Sequence, residues 1–141
     1  IFLKPDSVTN LSILQRINMI EQIDADIFID LNVSKDTQLS TLGTSVFYKT
    51  DYYNSELTNV MFADIMEKNI VKAIEGKAIG IFESDDEEFP FLIDQKIPSV
   101  TVTCGYISNI KEGEMLTREA YQNNFASGVL SAIDEVIAKL Y

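Results

Sequence analysis

Histidine is absent from this 141-residue chain. Imidazole is the commonest general acid–base near neutral pH and a principal zinc ligand, so any chemistry here must proceed without it. The single cysteine, Cys104, excludes an internal disulfide and does not fix a redox compartment. No apolar run approaches the roughly 18–20 residues that a membrane-spanning helix needs, so no membrane insertion by this chain is expected. The opening Ile1-Phe2-Leu3-Lys4-Pro5-Asp6 lacks the basic region and long apolar stretch of a secretory leader. Positive charge is also scarce, with 11 basic residues against 22 acidic ones and a net charge of −11. Such a field repels phosphate backbones and anionic surfaces, so no nucleic acid partner is expected. A neutral peptide or a basic protein remains open.

What is present suits one domain over residues 1–141, since 46% of the residues are hydrophobic and can build a single core. A short strand is expected at Ile1 to Leu3, ended by Pro5. A helix then starts near Asn10, with Ile13, Ile17 and Ile20 on its apolar face and Leu14 alongside. Ala25 to Leu31 reads as a buried strand and Val33 to Leu42 as a polar loop. Gly43 to Lys49 reads as another strand. Ser55 is placed to cap a helix whose main stripe is Leu57, Val60, Met61, Ile65, Val71 and Ile74, with Gly76 at its end. Short strands are expected at Ala78 to Phe82, Phe89 to Ile93 and Ser99 to Cys104, with Gly105 to Asn109 turning away. The last helix runs from about Thr117 to Leu140. Strands alternating with helices predict an α/β fold, a mostly parallel sheet flanked by helices on both faces.

Four stretches in order carry a family resemblance. They are Ile13-Leu14-Gln15-Arg16, Ala25-Asp26-Ile27-Phe28-Ile29, Ile97-Pro98-Ser99-Val100 and Gly105-Tyr106-Ile107-Ser108-Asn109. Together they resemble the catalytic domain of zinc-dependent N-acetylmuramoyl-L-alanine amidases of the amidase_3 type, with its three-layer sandwich. The resemblance implies cleavage of the amide between the lactyl group of peptidoglycan and the first stem-peptide residue. It also implies that the first strand and helix of the family domain, with a zinc histidine and the zinc glutamate, are absent from this chain. The expectation is an N-terminally incomplete domain.

Two positions that the resemblance marks for chemistry hold other residues. Asn32 stands at a family zinc-histidine position, and a neutral amide oxygen replaces imidazole poorly on zinc. Thr103 stands at the family's general-base glutamate, and a hydroxyl cannot take a proton from water near neutral pH. No intact catalytic residue and no zinc or other cofactor are therefore expected. The resemblance places the protein outside the cell or in the envelope.

Other residues invite weaker readings. Cys104 could be a nucleophile but reads as a buried structural cysteine, since no histidine exists to activate it. The acidic run Asp85 to Glu88 lacks the spacing of a calcium loop. Asp26, Asp30 and Asn32 alternate onto one strand face, although Asp26 and Asp30 would stand roughly 13 Å apart. Tyr48, Tyr52 and Tyr53 could stack on a sugar. Phe62, Met66 and Ile70 form a second apolar row on the central helix, which is either core or a possible partner face. Three functions follow: a non-catalytic domain binding a peptidoglycan stem peptide or an envelope protein partner, an active amidase with ligands from the missing segment, or a structural module of an envelope assembly.

Overall fold

The computed structural model describes residues 12–50, 56–85, 88–93 and 95–141. The expected strand at residues 1–3, the caps at Asn10 and Ser55, and Tyr52 and Tyr53 lie outside the described residues. The first helix, α1, spans Ile13–Gln22 and is capped by Ser12. The Ser12 hydroxyl accepts from the Gln15 N–H at 3.2 Å, and the Gln15 side chain accepts from the Ser12 N–H at 2.8 Å. This Ser-x-x-Gln capping box satisfies two donors that the first helical turn would otherwise leave unpaired.

The strands are β1 (Phe28–Ser34), β2 (Thr44–Tyr48), β3 (Ala78–Glu83) and β4 (Ser99–Tyr106). Between β2 and β3 lies α2 (Asn59–Ile74), and after β4 come α3 (Ile110–Leu116) and α4 (Glu119–Leu140). Several expected boundaries move. Val33 and Ser34 continue β1 instead of opening a loop, and Gly105 and Tyr106 continue β4. Residues Phe89 to Ile93 do not form a strand, because Pro90 opens a 3₁₀ turn over Pro90–Leu92. Proline has no N–H for a ladder but fits the first position of a helical turn. A separate helix, α3, occupies Ile110–Leu116, between the expected turn and the last helix, where no element was expected.

The sheet order is β1-β4-β2-β3. Strand β1 runs parallel to β4 and β2 parallel to β3, while β2 and β4 are antiparallel. The α/β, mostly parallel architecture is thus as expected, with one reversed pairing at its centre.

Alternation along the strands separates two faces. Val46, Val100 and Val102 point into the main core, where they meet α2 and α4. Phe62, Met66 and Ile70 of α2 are each 0% exposed in that core, so they are not a partner face. Of the expected main stripe, Leu57 and Ile65 join the core at 0% and 6% exposure and Ile74 packs against it, while Val60 and Met61 are left 38% and 39% exposed. The reason is that α2 lies between the sheet and α4, and its buried arc centres on the 62/66/70 row. Helix α4 packs on α2 through Phe125, Ala132 and Val136. Gly128 permits that approach, since a Cβ there would lie 2.7 Å from the Ile70 Cα.

The opposite face carries Asp30, Asn32, Phe47, Thr101 and Thr103, as the strand register shows. Phe89, ahead of the 3₁₀ turn, lays its ring 4.5 Å from that of Phe47. Arg16 of α1 shares a cleft with Asp30 and Asn32, so α1 covers this side of the sheet. Helices therefore flank both faces. No described helix is long and apolar enough to cross a membrane.

Candidate functional site

The β1–β4 pairing brings Asn32 beside Thr103 and Asp30 beside Thr101. Each pair is joined across the strands. The Thr103 hydroxyl donates to the Asn32 side-chain oxygen at 3.1 Å, and the Thr101 hydroxyl donates to Asp30 at 3.2 Å. Ser45 of β2 continues the first row beside Thr103. It is fully buried, and its hydroxyl has no partner among the described residues. Burial pushes the Asp30 carboxyl above its ordinary range, while the Thr101 hydroxyl and the Arg16 charge pull it partly back.

Asp26 does not join Asp30 and Asn32. It lies ahead of β1, exposed, and accepts from the Tyr141 hydroxyl near the end of α4. Tyr48 is half-buried and packs against the main core. Cys104 also packs there, and burial pushes its thiol up to about 12, with the Asp30 charge adding to the effect. Its thiolate is negligible near neutral pH, so the residue is a structural hydrophobe. In the acidic run, the Glu88 N–H donates to Asp85 at 3.0 Å. No group of three potential metal-ligating side chains of His, Cys, Asp or Glu type occurs among the described residues.

The Gly105-Tyr106-Ile107-Ser108-Asn109 segment ties the ends of β1 and β4 together. The Ile107 N–H donates to the Ser34 carbonyl at 2.9 Å, and the Ser108 hydroxyl accepts from the Asp36 N–H at 2.9 Å. Asn109 caps α3 by accepting from the Glu112 N–H at 3.2 Å, and its amide donates to the Leu39 carbonyl at 3.1 Å. Glu112, which sequence reasoning missed, is buried and accepts from the N–H groups of Gly43 at 2.8 Å and Tyr106 at 2.6 Å. Gly105 leaves room for it, since a Cβ there would meet the carboxyl carbon at 2.9 Å. The Asn109-x-x-Glu112 spacing, a capping residue followed by an acid at the third helical position, was the signal available for finding α3.

Beside the polar pairs an open cleft of about 330 Å³ is lined by Ile13, Arg16, Asp30, Leu31, Asn32, Glu88, Phe89, Pro90 and Phe91. It combines one cation, two carboxylates, an amide and an aromatic wall.

The N-acetylmuramoyl-L-alanine amidase family model, Amidase_3, matches residues 1–135. The chain belongs to this family. Among solved structures, the catalytic domain of CwlV, an N-acetylmuramoyl-L-alanine amidase from Bacillus (Paenibacillus) polymyxa var. colistinus, is 27% identical. It superposes with a TM-score of 0.79 over 92% of this chain and 68% of its own. An N-acetylmuramoyl-L-alanine amidase from Clostridium difficile 630 shares the fold, with a TM-score of 0.81 at 18% identity over 91% of this chain and 66% of its own. The CwlD amidase from Clostridioides difficile, solved in complex with the GerS lipoprotein, also shares it. That match has a TM-score of 0.79 at 23% identity over 89% of this chain and 61% of its own. The uncharacterized protein YqiI of Bacillus subtilis strain 168 is 27% identical over 124 residues, 88% of this chain. The chain spans 57% of that relative's length. This is accordingly a peptidoglycan-amidase-like domain. Asn32 and Thr103, singled out by the resemblance, are cross-strand neighbours in this chain, an amide and a hydroxyl bonded to each other.

Proposed function

We propose that this Amidase_3 domain is non-catalytic and acts by binding the peptide of the cell wall in the cleft beside Asn32. The observation that carries this reading is the Thr103–Asn32 hydrogen bond. An amidase of this type needs a metal-bound water and a carboxylate to take its proton. Thr103 offers no base, and its proton is directed at the Asn32 oxygen, the atom that would have to face the metal. The pair suits each other better than it suits zinc, which prefers imidazole, thiolate or carboxylate donors. No hydrolytic step is therefore derived for these residues.

The site of action that fits the family is the envelope or the outside of the cell, where peptidoglycan is found. A net charge of −11 favours a peptide over an anionic wall polymer as the bound species. A protein partner is the second reading, supported by CwlD having been solved with a lipoprotein.

The test uses the intact protein with purified peptidoglycan sacculi. The expected result is co-sedimentation with the sacculi, no release of stem peptides on long incubation, and well under one zinc per chain by elemental analysis. Stoichiometric zinc together with chelator-sensitive peptide release would overturn it. That outcome would favour an active amidase that draws ligands from elsewhere in the protein.

A further inference from the structure

We infer that the outer edge of β3 is a self-association surface, closed at neutral pH by the Glu67 side chain and opened in mild acid to the β3 edge of a second copy of this chain. The inference is independent of the wall-peptide reading. Among the described residues, β3 pairs with β2 on one side and has no strand on the other. An unpaired strand edge is a template for another strand. The run Ala78-Ile79-Gly80-Ile81-Phe82 holds no charge and no proline, which suits it to such pairing. Phe82 in this run is 42% exposed.

Two devices occupy the edge. The register with β2 slips between Thr44 and Ser45, which leaves Ile79 without a partner, and Gly80 follows with a φ of 136°. The Gly80 N–H then goes to a side chain and not to a strand. Glu67 of α2 reaches over and accepts it at 2.6 Å. A carboxylate thus stands in the path of an incoming strand. Pairing would have to bury that charge, and a two-fold arrangement would bring a like charge from the other copy.

Acid weakens both obstacles to association, the local charge and the net charge. Burial raises the Glu67 carboxyl above its ordinary 4.5, the Gly80 N–H pulls it partly back, Asp64 adds to the rise and Lys68 opposes it. Lys68 is itself held by Asp64 at 2.6 Å, and the Glu135 charge of α4 also acts on it. Strand β2 has no charged side chain, and β3 has none before Glu83, whose carboxylate accepts from the Thr50 hydroxyl. Glu67 therefore takes its proton at higher pH than an ordinary glutamate. The net charge of −11, which keeps copies apart at neutral pH, also shrinks as pH falls. A neutral Glu67 side chain can leave the edge, and the Gly80 N–H can turn to a carbonyl of the second copy.

Sedimentation velocity over a concentration series tests this on the intact protein. The parent should be monomeric at neutral pH and dimeric in mild acid, with far-UV circular dichroism showing that the fold is kept. Glu67→Gln removes the local charge but little of the net charge, and should self-associate at neutral pH about tenfold more tightly than the parent. Glu67→Ala should do the same, which keeps the test intact should the glutamine still hold Gly80. Amide exchange over Ala78–Glu83 should slow as either variant is concentrated. A parent that stays folded and monomeric in acid would overturn the inference. So would two variants that are both monomeric at neutral pH, a result that leaves the edge to a strand of some other protein. Association with unchanged exchange over β3 would place the contact elsewhere and overturn it as well.

Discussion

Val100 and Val102 point from β4 into α2 and α4, while Thr101 and Thr103 point from the same strand toward Asp30 and Asn32. The first pair belongs to a non-directional interior in which volume and apolarity decide the energy. The second belongs to a directional array in which the Thr101 and Thr103 hydroxyls each have one acceptor. Such an array is sensitive to the loss of one partner but tolerant of paired replacement, because what must be kept is satisfaction and not identity. On the proposed reading, this contrast lets the domain keep the fold of its amidase relatives while Asn32 and Thr103 stand where chemistry was expected. The interior on one side fixes the fold. The face on the other side only has to remain complementary.

Substitutions at Phe62, Glu112, Thr103, Asn32 and Asp30 separate the two faces. Phe62→Ala should cost the most, about 3–5 kcal/mol, because its fully buried ring fills the space between sheet and helices. Denaturant unfolding measures this, and a loss below about 1 kcal/mol would break the claim that this row is the core. Glu112→Ala should follow at about 3 kcal/mol, since the buried N–H groups of Gly43 and Tyr106 would both lose their acceptor. Glu112→Gln should fall between, because its amide keeps only one acceptor oxygen.

On the polar face, Thr103→Val should cost about 1 kcal/mol by leaving the Asn32 oxygen without its donor. A double-mutant cycle with Asn32→Ala should return most of that as coupling, and additivity would show that the pair is incidental. Asp30→Asn should have the smallest effect and the opposite sign at neutral pH. Burial raises the folded-state pKa of Asp30 above its ordinary 3.8, so the folded chain keeps the proton to higher pH than the unfolded chain does. Its contribution is fully present below about 3.8 and is lost as pH rises through the folded value. The variant should therefore match the parent in acid and exceed its stability at neutral pH, as thermal unfolding across that range would read.

The four strands of the sheet were legible because β-branched and apolar runs are short and bounded, as in the expected runs Ser99 to Cys104 and Gly43 to Lys49, which the structure shifts by one or two residues. Asn32 and Thr103 were singled out as well, from motif order. Their contact was not, because it depends on β1 lying beside β4, and sequence neighbours carry no trace of that pairing. The buried face of α2 was only partly legible because two apolar rows competed: Leu57 and Ile65 of the expected stripe are core, but Val60 and Met61 are not. Packing against both sheet and α4 decided for the row at 62, 66 and 70. In α4 the contact centres on Gly128 and Ala132, small residues that a hydrophobic stripe does not highlight. The reversal of β2 against β4 has no local signature either, since each strand is apolar on the face it buries.

Under the proposed reading, the Thr103–Asn32 bond also bears on whether the change can be undone. Restoring a glutamate at 103 alone would set a carboxylate near Asp30, against an amide oxygen that could not receive a proton from it. Restoring a histidine at 32 alone would leave an imidazole opposite a hydroxyl, with no general base at 103. Each single step would lose a satisfied contact without recovering a mechanism. A chain that has exchanged two cooperating residues for two complementary ones can drift further from catalysis in small steps, but would have to return in one large one.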